Sequence, residues 1–322
     1  MPFAKITGTG GYLPQRIMTN KEFEDIVDTS DEWIRERTGI KRRHIAAADE
    51  TTSDMALAAA QSAIEAAAIS SDDIDLIIVA TTTPDKVFPS TACIVQRRLG
   101  IAGFPAFDLH AACTGFIYAL DVANRFLLTG GARCALVIGS ETYSRLLDWN
   151  DRATCVLFGD GAGAVILQSA AEPGIMSTHI HADGKHEELL HVPGGVSSGY
   201  AKLQAEAAFI QMKGHEVFRQ AVGTLGSMAR ETLAANNIEK KDISWLIPHQ
   251  ANLRIIAAAA KKLDIPMEHV IVTVDEHANT SSASIPLALD VAVRDGRIQR
   301  GELLLLEAFG AGFTWGSALI RY

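Results

Sequence analysis

The sequence predicts an α/β protein made of two similar halves, 1–170 and 171–322, and three observations carry that expectation. Ala-rich amphipathic segments at 52–67 and 217–236 are each followed by a short apolar run, at 75–80 and 245–248. That alternation of helix and buried strand belongs to parallel sheets covered by helices. Segment 238–249 matches 69–80 position for position, with Ile69 against Ile238, Asp73 against Asp242 and Ile74 against Ile243. Segment 157–167 has the pattern of 307–317. Two such halves packed together place a site at their junction.

In chain order, 5–11 reads as a strand and turn, and 29–40 as a short capped helix stopped by Gly39. Trp33 and Arg37 stand i, i+4 on that helix, where they either stack a flat ligand ring or simply cover one another. Residues 107–120 read as a strand end, a tight turn at Cys113 and the start of a buried helix that Gly130-Gly131 end. Its apolar positions, Phe116, Ile117, Leu120, Val122, Phe126 and Leu127, cover nearly every side. A thiol at that N-terminus faces orphan N–H groups and the positive end of the macrodipole, so Cys113 is expected to be a thiolate nucleophile at neutral pH. The same amides can bind an oxyanion, and small Ala111, Ala112 and Gly115 leave room for a ligand.

Glycine clusters at 8–11, 159–163 and 310–316 are expected to be tight turns between strands, because strand-like residues follow where a phosphate-cradling loop would open a helix. His179, His181, His186 and His191 lack the spacing of a metal site, and no metal or cofactor is expected. A net charge of −9 disfavours nucleic acid. Four cysteines far apart exclude a disulfide framework and a zinc ribbon. The first eleven residues carry no charged-then-apolar leader, and every apolar run is interrupted by charge, so a cytoplasmic protein without membrane spans is expected.

Two further polar residues end apolar runs: His249, after 245–248, and Asn279, ahead of Thr280-Ser281-Ser282. Alone, each is an ordinary structural histidine or an Asx turn. With a helix-N-terminal cysteine they make a nucleophile and two neutral hydrogen-bonding partners, the set that acyl transfer through a thioester needs.

The motifs Ala112-Cys113-Thr114-Gly115-Phe116, Pro248-His249-Gln250-Ala251-Asn252, His277-Ala278-Asn279-Thr280-Ser281, the 309–316 turn and 29–39 resemble the type III β-ketoacyl-acyl carrier protein synthases of the thiolase superfamily, which start bacterial fatty acid synthesis. The likeness covers essentially the whole chain. It implies a thiolase-like five-layered αβαβα sandwich of two duplicated halves and a ping-pong reaction. Cys113 takes an acyl group from acyl-CoA; malonyl-carrier protein then loses carbon dioxide while His249 and Asn279 hold its thioester oxygen. Amides of Cys113 and Ala311 would stabilise the second oxyanion, although the family often has glycine at position 311. The resemblance further implies CoA contacts from Trp33, Arg37, Thr38, Arg152, Gly214, Phe218 and Asn252. His215 stands where some relatives carry Asn. Relatives form homodimers in which the residue matching Phe88 enters the partner's acyl pocket. The stretch Gln250, Ala251, Asn252, Leu253 and Arg254, with Lys261 and Lys262, would meet the acidic acyl carrier protein. A thiolase would need a second cysteine in 309–316, and an elongating synthase a histidine in place of Asn279. A non-catalytic acyl-CoA or carrier-protein binder is the alternative from another class, and it has no use for Cys113.

Overall fold

The structure is a computed structural model and describes residues 3–199 and 208–322. One mixed sheet has five strands in the order Phe3–Tyr12, Gly161–Ala170, Cys134–Glu141, Leu76–Ala80 and Ala106–Leu109. A second has four, Trp245–Pro248, Leu303–Gly310, Thr314–Arg321 and Ile175–Ala182. Helices Gly115–Leu128 and Ser284–Arg294 lie between the sheets in one apolar cluster that joins Leu76, Ile78 and Val137 to Ile247, Leu304 and Leu306. Outside the first sheet pack Thr52–Ala67 and Thr91–Leu99; outside the second pack Gly214–Asn236 and Leu253–Leu263. The layers therefore run αβαβα.

The sheets are not purely parallel, which corrects the sequence expectation. Leu76–Ala80 runs parallel to Ala106–Leu109 and Cys134–Glu141, and Trp245–Pro248 parallel to Leu303–Gly310, while the remaining pairs are antiparallel. The connection after Gly310 is too short for a crossover helix, so the chain turns back as a hairpin. Only that third glycine cluster encloses a strand-to-strand turn. Gly8 and Gly10 lie inside the first strand, where a Cβ would fall 2.3 Å from the carbonyls of Ala63 and Ala59. Their absent side chains let helix Thr52–Ala67 lie directly on the sheet.

The duplication is visible in detail. Helices Thr52–Ala67 and Gly214–Asn236 both end on a left-handed residue, Ala68 at φ 54° and Asn237 at φ 53°. Each is followed by a one-turn 3-10 helix closed by a capping box through Asp73 or Asp242, and then by a buried strand. Met18, Phe23, Ile34, Ile40 and Ile45 cross over to join the core around Leu246, Ile256 and Leu305. This carries helix Asp31–Thr38 to Leu253–Leu263, with Gly39 at φ 78° where a Cβ would lie 2.5 Å from that of Leu253. Among the described residues no helix is long and apolar enough to cross a membrane.

Candidate active site

One cavity of about 990 Å³ is lined by Cys113, His249 and Asn279 together. All three are buried, whereas Arg37, Arg152 and Arg254 on the same lining are exposed, so the cavity leads from a cationic rim to an apolar, dehydrated depth.

Cys113 sits in the 3-10 turn Ala112–Thr114 that opens helix Gly115–Leu128, and the turn begins with Ala112 at φ 45°. A non-glycine residue in that region is strained and persists only where its surroundings hold it. Thr314 Oγ1 reaches Ala111 O at 3.2 Å and Thr114 Oγ1 at 3.1 Å, which ties the hairpin turn bearing Ala311 to the nucleophile turn. Gly310 makes this possible, because a Cβ on it would fall 2.9 Å from Cys113 N. Burial pushes the Cys113 thiol up to about 12, against a downward pull from the Ser281 hydroxyl, while the charge of Glu141 pushes it further up. The expectation of a resting thiolate is corrected: desolvation outweighs the helix N-terminus, and the group is a thiol until a reaction removes its proton.

His249 follows strand Trp245–Pro248, and burial pulls it down to about 3, so the ring is neutral. Its Nδ1 lies 2.6 Å from Ser284 Oγ, which also accepts from Gln250 N at 3.3 Å. Among the described residues Nδ1 is the acceptor within reach of the Ser284 hydroxyl. That hydroxyl donates to it, and the ring proton is left on Nε2. Asn279 is fixed similarly: its Oδ1 accepts from Ser281 N at 2.8 Å, and among the described residues its Nδ2 hydrogens have no partner. The Asx-turn reading of Asn279 holds, and the turn is what aims the amide. Nδ2 and Nε2 are two neutral donors lining the cavity of a thiol.

At the rim, the guanidiniums of Arg37 and Arg152 lie 4.5 Å and 4.8 Å from the Trp33 ring centroid, so both arginines cover the indole. Thr38, Gly214, Phe218 and Asn252 share the lining, as does His215. Arg254 lies 5.6 Å over the Phe218 ring, and Asn252 caps helix Leu253–Leu263 through Arg254 N and Ile255 N. Phe88 is outside this cavity and 82% exposed.

Gln250 corrects a further expectation. It is fully buried; its Nε2 donates to Pro248 O at 2.7 Å and Ile271 O at 3.1 Å, and its Oε1 accepts from Thr273 N and Val274 N. No carrier protein can touch it, and its work is to fasten the His249 strand to the neighbouring segment. Ser284, Ser281, Thr314 and Glu141 were not singled out from the sequence. A lone glutamate ending the apolar strand Cys134–Glu141 was the signal available for the last of them.

The two stacked halves and a cysteine heading the central helix define a thiolase-fold acyltransferase. The comparisons narrow that class. Family models for 3-oxoacyl-[acyl-carrier-protein] synthase III match residues 107–184, and for its C-terminal part residues 233–322. The chain is 64% identical to the beta-ketoacyl-[acyl-carrier-protein] synthase III of Thioalkalivibrio sulfidiphilus over all of both chains, and 62% identical to that of Alkalilimnicola ehrlichii over the same full share. The crystal structure of 3-oxoacyl-[acyl-carrier-protein] synthase III from Aquifex aeolicus superposes with a TM-score of 0.94 at 49% identity, covering 99% of this chain and 100% of that one. The chain belongs to the 3-oxoacyl-[acyl-carrier-protein] synthase III family, acyltransferases of fatty acid synthesis.

Proposed function

We propose that this chain condenses an acyl-CoA primer, acetyl-CoA first among them, with malonyl-acyl carrier protein to give 3-oxoacyl-carrier protein and carbon dioxide. The observation that carries the reading is the pair of neutral donors, His249 Nε2 and Asn279 Nδ2, each freed by a partner on its other atom and each lining the cavity of Cys113. Cys113 sulfur attacks the primer thioester; the sulfur–carbonyl bond to CoA breaks, and the thiol proton leaves with the CoA sulfur. Malonyl thioester then takes the place of CoA, and its carbon–carboxylate bond breaks. The electron pair enters an enolate whose oxygen His249 and Asn279 hydrogen-bond. The enolate carbon attacks the acyl-cysteine, and the Cys113 thiolate leaves and regains a proton from water. Amides of Cys113 and Ala311 receive the oxyanion of each acyl transfer. Neutral donors suit this chemistry, since a charged imidazolium would stabilise the malonyl carboxylate that must be lost.

Trp33, Arg37, Thr38 and Arg152 would hold the nucleotide end of CoA, with Gly214, Phe218 and Asn252 along the pantetheine arm. Arg254, Lys261 and Lys262 give helix Leu253–Leu263 a cationic face, with Ala251 and Leu253 beside it, for an acidic carrier protein, whose encounter such charge steers. The halves 1–170 and 171–322 supply the nucleophile and the donors respectively. Exposed Val87 and Phe88, apolar and outside their own chain's cavity, suit a homodimer in which Phe88 reaches the partner's acyl pocket. Four free cysteines suit the reducing cytoplasm. Mass spectrometry after incubation with acetyl-CoA is expected to show one acetyl group on Cys113, and none in Cys113→Ala; an unmodified native chain would mean a binding protein rather than a transferase.

A further inference from the structure

The most hydrogen-bonded carboxylate in the described structure has no part in the reaction above. Glu141 ends strand Cys134–Glu141 and is wholly buried. Its Oε2 accepts from Thr82 N at 3.0 Å and from the hydroxyls of Thr81, Thr82 and Thr83 at 3.3, 3.1 and 2.8 Å. Its Oε1 accepts from Ser281 Oγ at 3.4 Å and Ser282 Oγ at 3.0 Å. Among the described residues no lysine, arginine or histidine pairs with it, and the titratable groups that face it are the Cys113 thiol and the Tyr143 phenol. A buried charge without a counter-ion is costly, and the donors converging on it, with the Thr82 and Ser282 hydroxyls shared with Tyr143 Oη and Ala80 O, offset that cost only if the site is built to keep the charge. The donors come from two loops. Thr81–Thr83 lead towards exposed Phe88. Ser281 is the residue whose N–H fixes Asn279 and whose hydroxyl draws the Cys113 thiol downward. Ser281 sits at φ 50°, a strained conformation held by these contacts.

We propose that Glu141 is a positioning residue of the condensing site: through Ser281 and Ser282 it locks the Asn279 turn against Cys113, and its charge adds to the burial that guards the empty site's cysteine from alkylation until an acyl donor arrives. The inference rests on Cys113 being the nucleophile. Burial holds Glu141 up at about 6, so the charge is present at neutral pH and is lost in mild acid. The two links to Cys113 act in opposite directions, since the carboxylate disfavours the thiolate and the Ser281 hydroxyl favours it.

The test is the second-order rate of iodoacetamide alkylation of Cys113 between pH 5 and 9, with acylation by acetyl-CoA followed in parallel. In Glu141→Gln the rate is expected to match the native one near pH 5, where both side chains are neutral, and to exceed it above pH 7. The excess at pH 8 is about three- to fivefold, because a less basic thiolate is also a poorer nucleophile. Ser281→Ala is expected to move the rate the other way by a similar factor. An unchanged rate in Glu141→Gln at pH 8, or an increase as large at pH 5, where the native carboxyl is already protonated, as at pH 8, which is the mark of a merely loosened site, overturns the proposal. Should Glu141→Gln fail to fold, Ser281→Ala decides, and a rate at or above the native one overturns the link. Absence of acylation in the native protein would instead remove the parent reading.

Discussion

Ala112 at φ 45° and Ser281 at φ 50° begin two turns of the same build, each passing through a 3-10 turn, Ala112–Thr114 or Ser281–Ala283, into a central helix buried between the sheets. Ser281 follows Ala112 by the same number of residues that separate Asn237 from Ala68 and Leu303 from Cys134, so equivalent positions can be paired directly. In the first half Gly115 faces Ala80, and a Cβ on Gly115 would lie 3.1 Å from that of Ala80. In the second half the same two positions are Ser284 and His249, joined by the 2.6 Å hydrogen bond. Across the junction, Glu141 closes over Ser282 at 3.0 Å, whereas its equivalent, Gly310, backs onto Cys113 and lines the cavity. Duplication kept the backbone, and four exchanges of side chain, these three and Cys113 against Ser282, made one copy a nucleophile with space above it and the other a braced pair of donors.

Making the turns alike is the most damaging change. Cys113→Ser, which gives the first turn the residue of the second, is expected to lower condensation by about 10⁴-fold, because an alcohol in this dehydrated site is a far weaker nucleophile than a thiol. Measured turnover within tenfold of native would deny Cys113 its role. Next in size, His249→Ala, which copies Ala80, and Asn279→Ala are expected to leave acetylation of Cys113 largely intact while slowing malonyl decarboxylation by ~10²–10³. Loss of acetylation with decarboxylation spared would reverse the assignment of the two halves.

Much of this was legible before folding. The repeat, the helix Thr52–Ala67, the strand Trp245–Pro248 and the three polar residues at the ends of apolar runs are all local patterns, and local patterns are what a sequence displays. Three things were not local. The sheets' mixed direction depends on how short the final connections are in space. The protonation of Cys113 depends on burial from all sides, which overrode the helix terminus that the sequence did reveal. Gln250 looked like part of a docking stretch because its neighbours are exposed, and only the fold shows its side chain turned inward onto Thr273 and Val274.

A smaller effect separates holding from reacting. Ser284→Ala removes the hydroxyl that fixes the His249 proton on Nε2, and losing such an orienting partner typically costs about 10–100-fold. The expected signature is a fall in kcat for condensation with KM for malonyl-carrier protein little changed, and Ser284→Thr, which keeps the hydroxyl, should recover most of it. Equal loss in KM and kcat would make Ser284 a packing residue.

The last contrast concerns Glu307, whose equivalent in the first half is Ile138, a core residue under helix Thr52–Ala67. Glu307 is fully buried, neither carboxyl oxygen has a partner among the described residues, and its cross-strand neighbour Ser317 is already bonded to Thr232. Burial pushes it up to about 8. A group raised in the folded state favours folding fully below its unfolded value, and that contribution is lost as pH rises through the folded one. Native stability is therefore drained by Glu307 between about pH 5 and 8, by on the order of 4 kcal/mol if the whole shift acts. His249 and His277, held down at about 3 and 4, work in the opposite sense, since stability from a depressed histidine is lost as pH falls. Their part is common to both proteins and cancels in a comparison. Glu307→Ile, which copies the first half, is expected to melt several degrees above native at pH 8 and to lose most of that advantage at pH 5. A melting difference that does not change with pH would mean that the carboxyl finds a partner in solution, and that the two halves differ at this position in packing alone.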